Sequence, residues 1–207
     1  SDEIYQSIIN WQNIQHNWQI NKEDFYMING VVPAYSACIE AFSEENDEVI
    51  VQTPIYPPLF KCVNANNRKV VVNELKKDEN GYYTMDLDDL EKKITSKTKI
   101  LALCSPHNPV GRVWSKDELE KLANICIKHN IIIVSDEIHS DITFKKFTPL
   151  ASISQKIANQ TITLNSAGKT FNIAGLNSAY AISKNQKILD KFKKIAQKRE
   201  IQSINFF

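Results

Sequence analysis

The chain of 207 residues has little of what marks the specialised classes of protein. Its 25 basic residues are balanced by 24 acidic ones, so bulk charge gives no reason to expect nucleic acid or an acidic membrane as a partner. No apolar run approaches the roughly 20 residues that span a bilayer. The four cysteines form no Cys-x-x-Cys pair and lie among apolar neighbours, which favours reduced, buried thiols and a cytoplasmic location.

Glycine is also scarce, and its positions are informative. Four of the five glycines fall in or beside turns, where the backbone must turn tightly, at Gly30, Gly111, Gly168 and Gly175. No Gly/Ser-rich linker, low-complexity segment or internal repeat divides the chain, and 43% of its residues are hydrophobic. We therefore expect residues 1–207 to form a single domain with a sizeable core.

Short apolar runs alternate with helical patterns along the chain. Strands are predicted at 25–28, 48–52, 69–73, 100–103, 131–134, 161–164 and 178–182, and helices at 3–14, 56–66, 86–94 and 186–197. A further helix begins after Ser115, which is placed to form a capping box with Glu118. This alternation predicts an α/β fold, with a doubly wound, mostly parallel sheet flanked by helices.

Ligands of an open α/β sheet bind beyond the carboxyl ends of its strands. Four turns that follow predicted strands are unusual, at residues 29–33, 105–111, 135–139 and 166–172. The first of them, at Gly30, leads into a helix whose free N–H groups and positive dipole end suit a phosphate. Taken alone, a plain strand-to-helix turn is the simpler interpretation.

Asp136 follows the continuous apolar strand at 131–134, where a buried carboxylate is costly without a cation. A protonated pyridine nitrogen would supply that cation, and a structural ion pair is an alternative. A metal site is a third interpretation, built from Asp136, Glu137, His139 and Asp141. Successive strand residues point to opposite faces, however, so these four side chains do not converge readily and we expect no metal.

The sequence Gly168-Lys169-Thr170 matches the last three residues of the nucleotide P-loop motif. The first glycine of that motif would fall at position 163, which is Thr163, so a P-loop is not expected. A lysine at the end of a strand commonly extends its amine to the surface. Lys169 stands out only because of the other three turns.

Together these turns resemble the aminotransferase class I/II family of pyridoxal 5'-phosphate (PLP) enzymes of fold type I. Within it they are most similar to the carbon-sulfur lyases of the cystathionine β-lyase type. The resemblance rests on five strings in family order: Gly-Val-Val-Pro-Ala at 30–34, Thr-Pro-Ile-Tyr-Pro-Pro at 53–58, Pro-His-Asn-Pro-Val-Gly-Arg-Val-Trp at 106–114, Asp-Glu-Ile-His-Ser-Asp at 136–141 and Lys-Thr-Phe-Asn-Ile-Ala-Gly-Leu at 169–176.

The resemblance implies roles around the cofactor ring. Lys169 would carry PLP as a Schiff base and later move the α-proton of the substrate. Asp136 would pair with the pyridine nitrogen, and Asn108 would hydrogen-bond the phenolic oxygen. His139 would lie beside that oxygen, and Tyr56 would stack on the ring.

The resemblance also implies a phosphate site. The backbone amides of Gly30, Val31 and Val32 would hold the phosphate, with the Ser166 hydroxyl as a further donor. The family usually has serine directly before the lysine, whereas this chain has Gly168, so one expected phosphate contact is lost.

The implied activity is β-elimination on a cysteine conjugate such as cystathionine, which yields a thiol, ammonia and pyruvate. Transamination is the main alternative, but Asn177 stands where many aminotransferases have arginine, and this favours the lyase. Family members are homodimers about twice as long as this chain, with an N-terminal arm and a small C-terminal domain. The resemblance thus implies an incomplete large domain, and a truncated, non-catalytic or regulatory protein is a further alternative.

Overall fold

The computed structural model describes residues 2–202. Their α-helices are α1 (Asp2–His16), α2 (Val31–Phe42), α3 (Pro57–Ala65), α4 (Leu87–Lys93), α5 (Lys116–Lys128), α6 (Gln155–Ala158), α7 (Ala167–Thr170) and α8 (Gln186–Lys198). The strands are β1 (Phe25–Ile28), β2 (Glu48–Thr53), β3 (Lys69–Glu74), β4 (Lys76–Lys77), β5 (Tyr83–Thr84), β6 (Thr98–Cys104), β7 (Ile132–Asp136), β8 (Thr161–Asn165) and β9 (Ala179–Ile182). Residues 1 and 203–207 of the expected domain lie outside this part.

Seven strands form the central sheet, in the order β1-β9-β8-β7-β6-β2-β3. Neighbours are parallel from β3 through to β8, whereas β9 runs antiparallel to both β8 and β1. The carboxyl ends of β1, β2, β6, β7 and β8 therefore meet at one edge of the sheet. The predicted doubly wound, mostly parallel α/β fold is confirmed.

Helices cover both faces of the sheet, which explains the continuous apolar strands. The side chains of β2 alternate, with Val49 and Val51 in one core and Ile50 in the other. The first core is closed by α2, α3 and α8, and the second by α4, α5 and α6. The aliphatic side of α1 packs on a third cluster, around Trp18 and Phe25.

The predicted helices and sheet strands are present, with ends that differ by one or two residues. The capping box is confirmed, because Ser115 Oγ accepts from Glu118 N at 3.2 Å and Glu118 Oε2 accepts from Ser115 N at 2.8 Å. The β4-β5 hairpin and the short helices α6 and α7 were not predicted. Within residues 2–202, no helix combines the length and apolarity needed to cross a membrane.

Candidate active site

Three strand ends lie side by side at the carboxyl edge of the sheet. Asp136, the last residue of β7, is in register with Cys104 of β6 and Leu164 of β8. The backbone continues this pairing beyond the strands, since Ser105 N donates to Asp136 O at 2.9 Å. The turns at 105–111, 135–139 and 166–172 therefore emerge together.

The Asp136 side chain is buried, with 7% of the residue exposed. Its Oδ1 accepts one hydrogen bond, from Ile138 N at 3.2 Å, and burial raises the pKa of the carboxyl to about 6. No lysine, arginine or histidine forms a salt bridge with Asp136 within residues 2–202. The structural ion pair considered above is therefore not formed in this part of the chain.

Glu137 and Asp141, the other two acidic residues of the metal site considered above, accept hydrogen bonds from protein groups. Glu137 Oε1 accepts from Ser135 Oγ at 2.8 Å and from Leu150 N at 3.1 Å. Asp141 accepts hydrogen bonds from side chains of α1 and α7. Across residues 2–202, no three histidine, cysteine, aspartate or glutamate side chains are grouped closely enough to hold a metal.

Lys169 lies in α7, a single helical turn that directly follows β8. The turn begins at Ser166, whose Oγ accepts from Gly168 N at 2.9 Å and donates to Ser178 O at 2.6 Å. The Lys169 side chain is exposed at the carboxyl edge. Burial, and then the charge of Lys169, hold the pKa of His139 below its usual value.

Gly168 lies in a closely packed part of this turn. A Cβ atom at this position would lie 3.0 Å from Ser166 Oγ and 3.3 Å from Ala174 Cα, which is backbone. A serine could enter only if the neighbouring backbone shifted. A side chain at position 168 would therefore crowd this turn.

Tyr56 and Asn108 come from turns that are joined to each other. Tyr56 N donates to Asn108 O at 3.1 Å, and His107 Nε2 donates to Pro54 O at 2.9 Å. Tyr56 remains 41% exposed at this edge. His107 is buried, which lowers the pKa of its ring and favours the neutral form.

Gly30 precedes the first turn of α2, the twelve-residue helix that follows β1. The first N–H bonded within the helix is that of Ala34, which donates to Gly30 O at 3.2 Å. Because Pro33 has no N–H, the amides of Val31 and Val32 are the donors of this turn that find no partner within residues 2–202. No acidic residue lies in the turn, so its positive dipole end is available to an anion.

The model of the family "Aminotransferase class I and II" matches residues 1–201. The chain belongs to this family. It is 38% identical over 204 residues to cystathionine β-lyase PatB of Bacillus subtilis, which covers 97% of this chain and 52% of that protein. It is 30% identical over 184 residues to an aspartate aminotransferase of the same organism, which covers 86% and 46%.

A solved structure shows the same fold. The crystal structure of cystalysin from Treponema denticola, which contains a pyridoxal 5'-phosphate cofactor, superposes with a TM-score of 0.94 at 37% identity. The match covers 99% of this chain and 52% of cystalysin. This member of the family thus spans about half the length of the relatives it matches.

Two contacts at this edge were not predicted. His107 was quoted only as part of a motif, yet it connects the Tyr56 and Asn108 turns through Pro54. Asp141 was considered as a metal ligand and quoted within a motif, yet its carboxylate accepts a hydrogen bond from Thr170, the residue next to Lys169. The motif strings contained both residues, but their partners lie far away in sequence and no local pattern indicates them.

Proposed function

We propose that this chain is the PLP-binding large domain of a carbon-sulfur β-lyase of the cystathionine β-lyase type, which releases a thiol, ammonia and pyruvate. One observation carries the proposal. Asp136 is a buried carboxylate at the carboxyl edge without a cationic partner in residues 2–202. The protonated pyridine nitrogen of PLP would supply the positive charge that compensates this carboxylate.

The surrounding residues fit the rest of the cofactor. The amides that precede and open α2, at Gly30, Val31 and Val32, would hold the phosphate. The Ser166 hydroxyl already donates to Ser178 O, so its use by the phosphate requires rotation of that group. The Val31 and Val32 amides, which have no partner within residues 2–202, are therefore the stronger part of the proposed phosphate site.

The proposed contacts with the PLP ring come from the two hydrogen-bonded turns that carry Tyr56 and Asn108. Tyr56 presents an exposed aromatic face, and the linked Asn108 offers a side-chain amide to the phenolic oxygen. The lowered pKa of His139 keeps its imidazole neutral beside that oxygen at neutral pH. Lys169 would attach the cofactor through its amine.

PLP, when bound, supplies an electron sink for the pair released as the α-proton leaves. The chain supplies the proton transfer and the electrostatics. Lys169 Nζ takes the α-proton of the substrate and holds it within the site. Asp136 would stay ionised opposite the ring nitrogen. The proton held by Lys169 would pass to the departing β-sulfur to give the thiol, and water would hydrolyse the released 2-aminoacrylate to pyruvate and ammonia.

Two observations favour the lyase over an aminotransferase. Asn177 replaces the arginine of many aminotransferases, and the lyase PatB is more similar in sequence than the aspartate aminotransferase. Transamination remains the second candidate because the chain is still 30% identical to that aminotransferase. The two reactions differ only after the α-proton has been removed.

A homodimer in the cytoplasm is part of the proposal. Large apolar side chains are exposed on or near the lysine turn, at Phe171, Leu176, Ile142 and Phe144, which favours a second subunit over this edge. The four cysteines are free thiols, as expected in a reducing compartment.

Covalent capture tests cofactor binding. The full chain is mixed with PLP, reduced with borohydride, and digested, and the modified peptide is identified by mass spectrometry. We expect modification at Lys169, its loss in Lys169→Ala, and retention in the control Lys156→Ala, which removes an exposed lysine of α6. Absence of any adduct at Lys169 in the wild type would refute the proposed cofactor site.

Product analysis then separates the two reactions. The wild type and Lys169→Ala are incubated with cystathionine, with and without a 2-oxo acid as amino acceptor. Pyruvate and thiol formed without the acceptor support the lyase. If the PLP-bound protein forms an amino acid only when the 2-oxo acid is present, the proposed activity is an aminotransferase and not a lyase.

A further inference from the structure

The Asp141 carboxylate accepts hydrogen bonds from three side chains. Its Oδ1 atom is 2.7 Å from His16 Nε2 and 3.1 Å from Trp11 Nε1, and its Oδ2 atom accepts from Thr170 Oγ1 at 2.8 Å. The Asp141 and His16 side chains are 12% and 6% exposed, so water has little access to the cluster. Such a shielded, charge-assisted arrangement constrains its members more than surface contacts do.

The cluster connects two distant segments of the chain. Trp11 and His16 lie in the second half of α1, whereas Thr170 is the last residue of α7 and directly follows Lys169. The Trp11 ring also packs edge-on against Phe171, with the ring centroids 5.1 Å apart. The carboxylate of Asp141 therefore lies between α1 and the lysine turn and bonds to both.

Asp141 keeps its charge in this environment. Burial raises the pKa of the carboxyl, but the hydrogen bonds from His16, Thr170 and Trp11 outweigh burial and leave the pKa below its usual value. An ionised carboxylate has lone pairs for all three donors. The Thr170 contact is therefore a hydrogen bond to a charged acceptor, which is stronger than a neutral one.

We propose that Asp141 is a positioning residue that fixes the lysine turn against α1, and thereby sets where the Lys169 amine can reach. The importance of that amine rests on the proposed function. α7 has only four residues, and a helix of this length is not stable alone. Ser166 fixes its beginning, and the Thr170-Asp141 hydrogen bond fixes its end.

The position of the lysine turn is important because the Lys169 side chain is exposed. Because the side chain extends from the turn toward solvent, its amine is positioned through the backbone of α7. A turn that opens at Thr170 would let the amine sample many positions. The predicted consequence is slower attack by the amine, with little change in the affinity for the cofactor phosphate.

Matched threonine variants test the inference in the full chain. Thr170→Val keeps the shape of the side chain and removes the hydroxyl, whereas Thr170→Ser keeps the hydroxyl. Thr95→Val is the control, because Thr95 Oγ1 also donates to a carboxylate, Glu48 Oε2 at 2.6 Å, but at the opposite edge of the sheet. Asp141→Asn removes the charge of the acceptor itself.

The first measurement needs no cofactor. Hydrogen exchange is followed at the bonded amides of the turn, where Phe171 N donates to Ala167 O and Ile173 N donates to Gly168 O, both at 3.0 Å. We expect exchange to be about ten-fold or more faster in Thr170→Val and Asp141→Asn, the effect of losing a hydrogen bond to a charged group. Thr170→Ser and Thr95→Val should match the wild type, and β6 amides should be unaffected.

The second measurement uses PLP. The rate of borohydride-trapped attachment at Lys169 should fall in Thr170→Val and recover in Thr170→Ser, while the PLP dissociation constant changes less. Exchange in Thr170→Val equal to that of the wild type would overturn the inference. A wild type that captures no PLP refutes the proposed function instead, and the exchange experiment still decides whether Asp141 holds the turn.

Discussion

The Asp136→Asn variant should affect folding and cofactor binding in opposite directions. Asparagine has nearly the same shape, and its Oδ1 can still accept from Ile138 N, as Asp136 does at 3.2 Å. What the substitution removes is a negative charge that is buried without a cation in residues 2–202. The chain without cofactor should therefore become more stable, and PLP binding should become weaker.

The magnitude follows from the pKa of Asp136. Burial raises it from 3.8 to about 6, and at about 1.4 kcal/mol per pH unit this corresponds to about 3 kcal/mol. A carboxyl whose pKa is higher in the folded state loses stability as pH rises from 3.8 to about 6. The free energy of unfolding of Asp136→Asn should thus equal that of the wild type at low pH and exceed it by up to about 3 kcal/mol at pH 7.

Urea unfolding at several pH values between 4 and 8, without cofactor, measures this difference. PLP titration of the same two proteins measures the opposite effect, and we expect an affinity lower by about ten-fold or more because the ring nitrogen loses its charged partner. If the unfolding free energies of the wild type and Asp136→Asn changed with pH in parallel across this range, the buried-charge argument would be refuted. Unchanged PLP affinity would refute the role of Asp136 opposite the ring nitrogen.

Two further substitutions test the neighbouring structure. Burial raises the pKa of Glu137 from 4.5 to about 8, so Glu137→Gln should gain stability relative to the wild type as pH rises through this interval, by up to about 5 kcal/mol, in the same unfolding series. A constant difference between the two proteins would contradict this. Gly168→Ser, which restores the usual family residue, should destabilise the chain by about 1–3 kcal/mol because its Cβ crowds Ala174. Unchanged unfolding would show that the turn accommodates a side chain.

Most of the fold could be predicted from local patterns, because each sheet strand is a short apolar run and each long helix has a periodic apolar side. The direction of β9 could not be predicted, because the apolar residues of a buried strand do not indicate whether it runs parallel or antiparallel to its neighbours. The β4-β5 hairpin has two residues in each strand, too few for any alternation to be recognised.

The candidate site was predictable to the extent that it follows strand ends. Asp136, Asn108 and Lys169 each come just after a predicted strand, and parallel strands bring such positions to one edge. The Asp141 contacts were not predictable, because Trp11 lies 130 residues away and α1 carries no signal for what it packs against. The contact between His107 and Pro54 likewise exists only after two turns have come together.

The fold fixes Asp136 and Lys169 by different means. Asp136 ends a central strand that pairs on both sides, so its position depends on the sheet and changes only if the sheet does. Lys169 lies in a four-residue helix whose two ends are fixed by side chains, Ser166 and Thr170. Under the proposed function, substitutions near α7 should therefore alter how fast the Lys169 amine reacts with PLP, whereas substitutions at Asp136 should alter the charge of the PLP ring nitrogen.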